Sequence, residues 1–308
     1  MSLSRSQRRQ RQKKPSFTLG HLVIIGVIIA IVSGVGAYAY HTFYTSTVDY
    51  RVEQAFSLID KADEKMGALH SVISADITDE TADKIKKVTE SIEPTRDLLR
   101  GAADYIKRAQ ESATTEEMER LVMIQESVAL RGQLLGLAPD LLEVTEKSAI
   151  ALRGVNVGWE NLIAATEASV RAKEAFDMQD KAGMLESVKQ NNDALSQLAR
   201  ARVEFNDAER VLEGLSFAVY LEYIDIREQM AQTAIKAAND WTGEDKTALK
   251  IDLEHYADLL SQAAIMEENQ LVPPAEIVAA TYQELVGEAS TEYFAIREAV
   301  RTLDNKVR

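Results

Sequence analysis

The feature that most constrains this chain is an apolar stretch near its N-terminus, Leu22–Tyr40, which contains nineteen residues and no charged side chain. It lies inside a longer run, 15–48, that has no Asp, Glu, Lys or Arg. A helix rises about 1.5 Å per residue, so this stretch is long enough to span the roughly 30 Å hydrocarbon core of a bilayer. The sequence therefore predicts one transmembrane helix, with a short segment before it and a long one after it.

Basic residues flank the apolar stretch on its N-terminal side only. They are Arg5, Arg8, Arg9, Arg11, Lys13 and Lys14. Such a flank holds its end of the helix in the cytoplasm and attracts anionic lipid headgroups. We therefore predict a single-pass protein of the cell membrane with a cytoplasmic tail (1–18), an anchor with its outer interface (19–45) and an extracytoplasmic domain (46–308). A sub-boundary within the last region is predicted near residue 138.

Two further interpretations of the apolar stretch stay open. Ala37-Tyr38-Ala39 has the pattern of a signal-peptide cleavage site, although the stretch is long for a signal and continues into aromatic residues that suit a membrane interface. Gly26, Ala30 and Gly34 follow one another at intervals of four residues, a spacing that lets two membrane helices approach closely. This row of small residues is compatible with a homo-oligomer formed through the anchor. Small residues are also common in membrane helices in general.

The region after the anchor is strongly acidic. The whole chain has 35 Lys and Arg against 49 Asp and Glu, and six of the basic residues precede the anchor, so residues 49–308 carry a formal net charge of about −20. Such a surface repels phosphate backbones, which excludes nucleic acid as the expected partner. The absence of cysteine excludes disulfides and thiolate metal sites.

Apolar residues recur at intervals of three and four residues through most of the acidic region, which indicates amphipathic helices. The clearest series is Val52, Ala55, Ile59, Ala62, Met66, Leu69 and Ile73. These are heptad positions of a coiled-coil stalk or of one helix in a bundle, and the absence of a breaker before them predicts that the anchor helix continues into them. No alternating strand pattern is present, so the predicted fold is all-α: a transmembrane helix followed by an extended multi-helix bundle.

Helix-capping residues and prolines divide the acidic region into about eight predicted helices. Thr114-x-x-Glu117 is a capping box, Thr242-x-x-Asp245 has the same pattern, and Pro139 is expected to begin a new helix. Pro94 predicts either a kink or a restart within the second helix. A 34-residue repeat pattern is absent, which favours a bundle of long helices over a solenoid.

No catalytic, cofactor-binding or metal-binding motif is found, so none is predicted. Asp252 and His255 share a helix face but lack the additional ligands of a metal site. Trp159, Trp241 and the tyrosines near residue 220 are candidates for a ligand pocket, although aromatic residues at helical spacing are more typical of a core. We predict a non-catalytic scaffold or interaction module whose partners are the lipid bilayer and another envelope or membrane protein. The alternative is a ligand-binding sensor that signals through a partner membrane protein.

Overall fold

The structure of the protein is a computed structural model that describes residues 33–36, 38, 42–44, 47–78 and 80–308. It is about 90% helical, and the described residues contain no strand, which confirms the all-α prediction. The long helices are α1 (Val48–Ile73), α2 (Thr81–Gln110), α3 (Thr115–Asp177), α4 (Lys181–Val211), α5 (Ala218–Thr242), α6 (Lys246–Asn269) and α7 (Pro274–Val307).

Most of the predicted anchor lies outside the described residues, as do the basic flank, Ala39, Gly26 and Ala30. Gly34 lies in a short helical segment, 33–36. Among the residues that the structure describes, no helix combines the length and the apolarity that crossing a bilayer requires. The anchor, its orientation and its self-association stay predictions.

Helix α1 begins at its own N-cap, so the prediction that it continues directly from the anchor helix is wrong. Thr47 has an extended backbone, with φ −71° and ψ 149°, and its hydroxyl accepts a hydrogen bond from the Tyr50 amide at 3.3 Å. An N-cap threonine competes for the amides that a continuous helix would use internally. The first helix of the bundle is therefore separated from the preceding chain at Thr47.

Helix α3 is one helix of 63 residues, about 95 Å long, and the expected helix start at Pro139 is wrong. Proline has no amide to donate to the carbonyl four residues earlier, which here belongs to Leu135. Arg96 of α2 supplies the missing donor, because its Nη2 lies 2.9 Å from the Leu135 oxygen. The capping box at the start of α3 is confirmed, with Thr114 and Glu117 bonded to each other's backbone. The sub-boundary near residue 138 stays a prediction.

Two hydrophobic cores lie along α3. The first is formed by α1, α2, the N-terminal half of α3 and the C-terminal part of α7. The second is formed by the C-terminal half of α3 with α4, α5, α6 and the start of α7. All seven residues of the heptad series in α1 are buried, which confirms the bundle rather than an isolated stalk.

Charged side chains join three helices of the first core. Arg131 of α3 is 2% exposed and donates to Asp63 of α1 at 2.7 Å and to Asp304 of α7 at 2.6 Å. At the start of the same core, Arg120 donates to the Val307 carbonyl at 2.9 Å. These bonds hold the end of α7 against the beginning of α3 and beside α1.

Helix α5 is followed by a tight turn, and the N-cap of the next helix is not the residue that the sequence pattern predicts. Asp245, rather than Thr242, is the N-cap of α6, and its carboxylate accepts from the amides of Thr247 and Ala248. Thr242 is the last residue of α5 and donates to the Ala238 carbonyl at 2.8 Å. The turn lets α6 run back along α5, which is the arrangement that shapes the candidate site.

Candidate functional site

The second core is open along one side. Neighbouring helices pack in the order α3, α4, α5 and α6, but α3 and α6 make no extensive contact with each other. Side chains of both helices line two cavities along this open side. We call it the α3–α6 groove; its wall residues include Trp159, Ile163, Thr166 and Lys173 of α3 and Leu253, Tyr256 and Glu267 of α6.

Helix α6 is the least buried wall of the groove. Of its 24 residues only Leu259, Ala263 and Met266 are buried. Leu253 and Leu260 are exposed, and they lie seven residues apart on the face that also carries Glu267. On the opposite wall, Val170 falls between the lining residues Thr166 and Lys173 and is 53% exposed. Both walls therefore present apolar side chains to solvent.

The end of the groove near the α6–α7 connection is an aromatic cavity of about 450 Å³. The structure brings Trp159 together there with Tyr220 and Tyr223, as one of the two sequence interpretations anticipated, whereas Trp241 is not part of the lining. Trp159 is 40% exposed, and the two tyrosine rings are buried beneath it. The remaining lining residues are Leu162, Ile163, Thr166, Glu167, Glu267, Leu271, Val272 and Pro273.

Hydrogen bonds fix the polar groups beneath the aromatic cavity. The Tyr223 hydroxyl donates to Glu267 Oε1 and accepts from Arg227 Nη1 at 2.7 Å. The Arg227 guanidinium also lies 5.6 Å from the centre of the Tyr223 ring. The Tyr220 hydroxyl donates to the Val272 carbonyl. Burial raises the pKa of each of these two tyrosines to about 12, so both stay neutral donors at physiological pH.

A second cavity of about 180 Å³ lies farther along the groove and differs in its chemistry. Its floor includes the buried Ser187 and Asn191 of α4, and its mouth carries Lys173 and Asp177, paired at 2.7 Å. Tyr256 forms the α6 wall, and burial raises the pKa of its hydroxyl. The volume suits a few water molecules better than a drug-sized ligand.

The sequence did not reveal the α4 floor, because its apolar pattern indicated a different face. Leu185, Val188 and Leu195 recur at helical spacing, but Leu185 is exposed and the other two are half-buried. The residues that point inward are Met184, Ser187, Asn191 and Ala194. The side-chain amide of Asn191 donates to the Ser187 carbonyl of the same helix at 3.0 Å. Its burial therefore does not leave this nitrogen without a hydrogen bond.

The groove is acidic along both helices. Among the residues that line its two cavities, Glu167 and Asp177 of α3 and Glu267 of α6 are acidic, and Lys173 of α3 is basic. In the described part of the chain, no group of three or more His, Asp or Glu is arranged to hold a metal ion. The groove therefore offers apolar contact and negative charge.

Arg227 and Glu267 are the site residues that the sequence analysis missed. The four-residue interval between Tyr223 and Arg227 was a readable signal, since it places the two side chains on one helix face. Glu267 comes from another helix, and only the tertiary structure brings it within reach.

Comparison of the chain with protein-family models, with curated proteins and with solved structures finds no match.

Proposed function

We propose that this protein is a membrane-anchored, extracytoplasmic scaffold that captures another envelope protein in the α3–α6 groove. The observation that carries this proposal is the pair of facing helices whose apolar side chains are exposed to solvent. Val170 on one side and Leu253 and Leu260 on the other are exposed apolar side chains of the kind that an amphipathic helix contacts when it binds in a groove. In a soluble protein such an apolar surface with a polar rim is typical of a binding site.

The occupant that fits the groove is an amphipathic helix with basic residues beside its apolar face. Three acidic residues against one basic residue line the two cavities of the groove, and the whole extracytoplasmic region carries about −20. Complementary charge raises the rate of encounter and disfavours acidic partners. A helix of this kind would complete the open side of the second core by contacting α3 and α6 at once.

The proposal is tested with a photoreactive amino acid placed at Val170 of the full chain in native membranes. Val203 is the matched control, because this α4 valine is 54% exposed against 53% for Val170 and lies on the face of α4 opposite the buried Ala201 and Phe205. We expect crosslinking from residue 170 to a peptide of another envelope protein that is amphipathic and rich in Lys and Arg, and none from residue 203.

Three outcomes would contradict the proposed capture. The first is the same crosslinked products from both positions, and the second is no product from residue 170. The third is a product from residue 170 that maps to a second copy of this chain, since the occupant would then be a homo-oligomer contact.

The second candidate function is a sensor that binds a small ligand and signals through a partner membrane protein. The aromatic cavity favours it, because about 450 Å³ lies within the range of small-molecule sites. A ligand that binds the folded state raises its melting temperature by mass action. A thermal-shift screen of small molecules that yields no stabilising compound would count against this function and leave the scaffold proposal standing.

A further inference from the structure

We propose that the aromatic cavity is a binding site for a small organic ammonium cation. Its lining contains two carboxylates, Glu167 and Glu267, and three aromatic rings, but no Lys, Arg or His. Glu167 is paired with Arg171 on the surface of α3 at 3.8 Å, so Glu267 is the carboxylate that we assign to the cation. Such a lining attracts a positive charge and offers a neutral or negative ligand mainly its apolar surface.

The rings supply a surface on which an ammonium group is stable after losing water. Trp159 stands at the opening with 40% of its surface exposed, and its ring meets that of Tyr220 edge to face, with centroids 6.3 Å apart. Trp offers the strongest cation–π attraction of the aromatic side chains. The buried Tyr220 and Tyr223 also line the cavity, so aromatic side chains of both α3 and α5 surround a bound cation.

Glu267 supplies the counter-charge. Its Oε1 is occupied by the Tyr223 hydroxyl and lies 3.5 Å from Arg227 Nη1. Its side chain is nevertheless 51% exposed, and no hydrogen bond to Oε2 is found among the described residues. The buried Arg227 does not line the cavity; it is engaged by the Tyr223 ring and hydroxyl. The carboxylate is thus held in place at one oxygen and available at the other.

This site goes beyond the proposed capture of a helix and does not depend on it. Binding of a free cation requires no partner protein, and crosslinking from Val170 requires no ligand. The two experiments can therefore fail separately.

The test is isothermal titration calorimetry of the full chain, purified in a maltoside detergent whose headgroup carries no charge. The probe is choline, and the control is its neutral carbon isostere, 3,3-dimethylbutan-1-ol. We expect saturable choline binding with a Kd at or below about 1 mM and at least about tenfold weaker binding of the neutral isostere. The chain has two tryptophans, so in Trp241→Phe the emission of Trp159 alone reports where choline binds.

Matched variants connect the binding to the cavity. We expect Glu267→Gln and Trp159→Leu each to weaken choline binding about tenfold, because each removes one source of attraction. Trp159→Phe, which keeps an aromatic ring, should bind within about threefold of the natural protein, and Trp241→Leu should bind unchanged.

The proposal is overturned if choline shows no saturable binding, or if the neutral isostere binds within about threefold of choline. It is also overturned if choline leaves the Trp159 emission unchanged, or if Glu267→Gln and Trp159→Leu both bind as the natural protein does.

Discussion

Arg131 shows how one buried residue organises three helices. Its guanidinium is enclosed in the first core and bonded to two carboxylates, Asp63 and Asp304, and to the Ser127 hydroxyl. Burial opposes the charged form, but the hydrogen bonds that Arg131 donates to both carboxylates outweigh it and raise the pKa of Arg131 above its usual value. The pKa of Asp304 is lowered, because its bonds with Arg131 and Ser127 outweigh the effect of burial.

Removing this guanidinium should destabilise the protein strongly. We expect Arg131→Ala to lower the free energy of unfolding by about 3–5 kcal/mol, because it leaves Asp63 and Asp304 without their partner in a partly buried site. Arg100→Ala is the control: Arg100 pairs with Asp97 at 3.2 Å on the exposed side of α2, so its loss should cost less than about 1 kcal/mol. Urea denaturation followed by circular dichroism measures both. Equal costs would show that the network contributes no more than a surface pair.

His70 should make stability depend on pH. Burial is the main cause that lowers its pKa to about 4; nearby Arg297 and Arg131 act in the same direction, and Asp63 opposes them. The folded protein therefore stays neutral at His70 where the unfolded chain, with a pKa near 6.5, takes up a proton. Stability should fall as pH is lowered from 6.5 to 4, by about 1–2 kcal/mol after allowance for partial exposure.

The measurement for His70 is the urea midpoint at pH 4, 5, 6 and 7, compared with that of His70→Gln. The variant should lose the slope between pH 4 and 6.5. Asp304 affects stability in a lower pH range, because its folded-state pKa lies below the usual value of 3.8. An unchanged slope in His70→Gln would assign the pH dependence to other groups.

At the scale of the helix, sequence patterns predicted best where packing is simple. The heptad residues of α1 are all buried as expected, because α1 presents one apolar stripe to one core. In the first part of α4 the pattern failed: the floor of the smaller cavity includes Ser187 and Asn191, while Leu185 is exposed to solvent. An apolar stripe cannot reveal a core position filled by a small or internally bonded polar residue. For the same reason the aromatic residues of the cavity were recognisable, but their partner Glu267 was not.

Pro139 failed as a helix boundary because another helix compensates for it. Propensity alone assigns an interior proline a cost of about 3 kcal/mol. Part of that cost is the unpaired carbonyl of Leu135, which Arg96 satisfies from α2. The boundary was therefore decided by a contact between residues 39 positions apart, which no local pattern contains.

The compensation predicts coupling between Arg96 and Pro139. With Pro139 present, Arg96→Ala should cost about 1–2 kcal/mol, since the Leu135 carbonyl loses its donor. In the Pro139→Ala background the new amide supplies that donor within the helix, and Arg96→Ala should cost less than about 0.5 kcal/mol. A double-mutant cycle by urea denaturation measures the difference. The same cost in both backgrounds would mean that Arg96 acts through its ion pair with Glu93 instead.

For the whole molecule, α3 sets the length. Its 63 residues run through both cores, so the protein should be elongated, with a maximum dimension of at least about 95 Å. A compact domain of the same size would have a radius of gyration near 18 Å. Small-angle X-ray scattering of residues 47–308 should instead give a value above about 25 Å. A radius near 18 Å would show that α3 is bent back on itself in solution.

The sparse burial of α6 has a consequence for the energetics of opening. Helices with few buried apolar contacts detach at a low free energy, well below that of global unfolding, and their amides exchange with solvent deuterium first. With three buried residues and one packed neighbour, α6 is the element that should exchange fastest after the chain ends. Its detachment widens the groove while α3, α4 and α5 stay folded. An occupant that binds both walls would hold α6 in place, and the amides of α6 would then exchange more slowly.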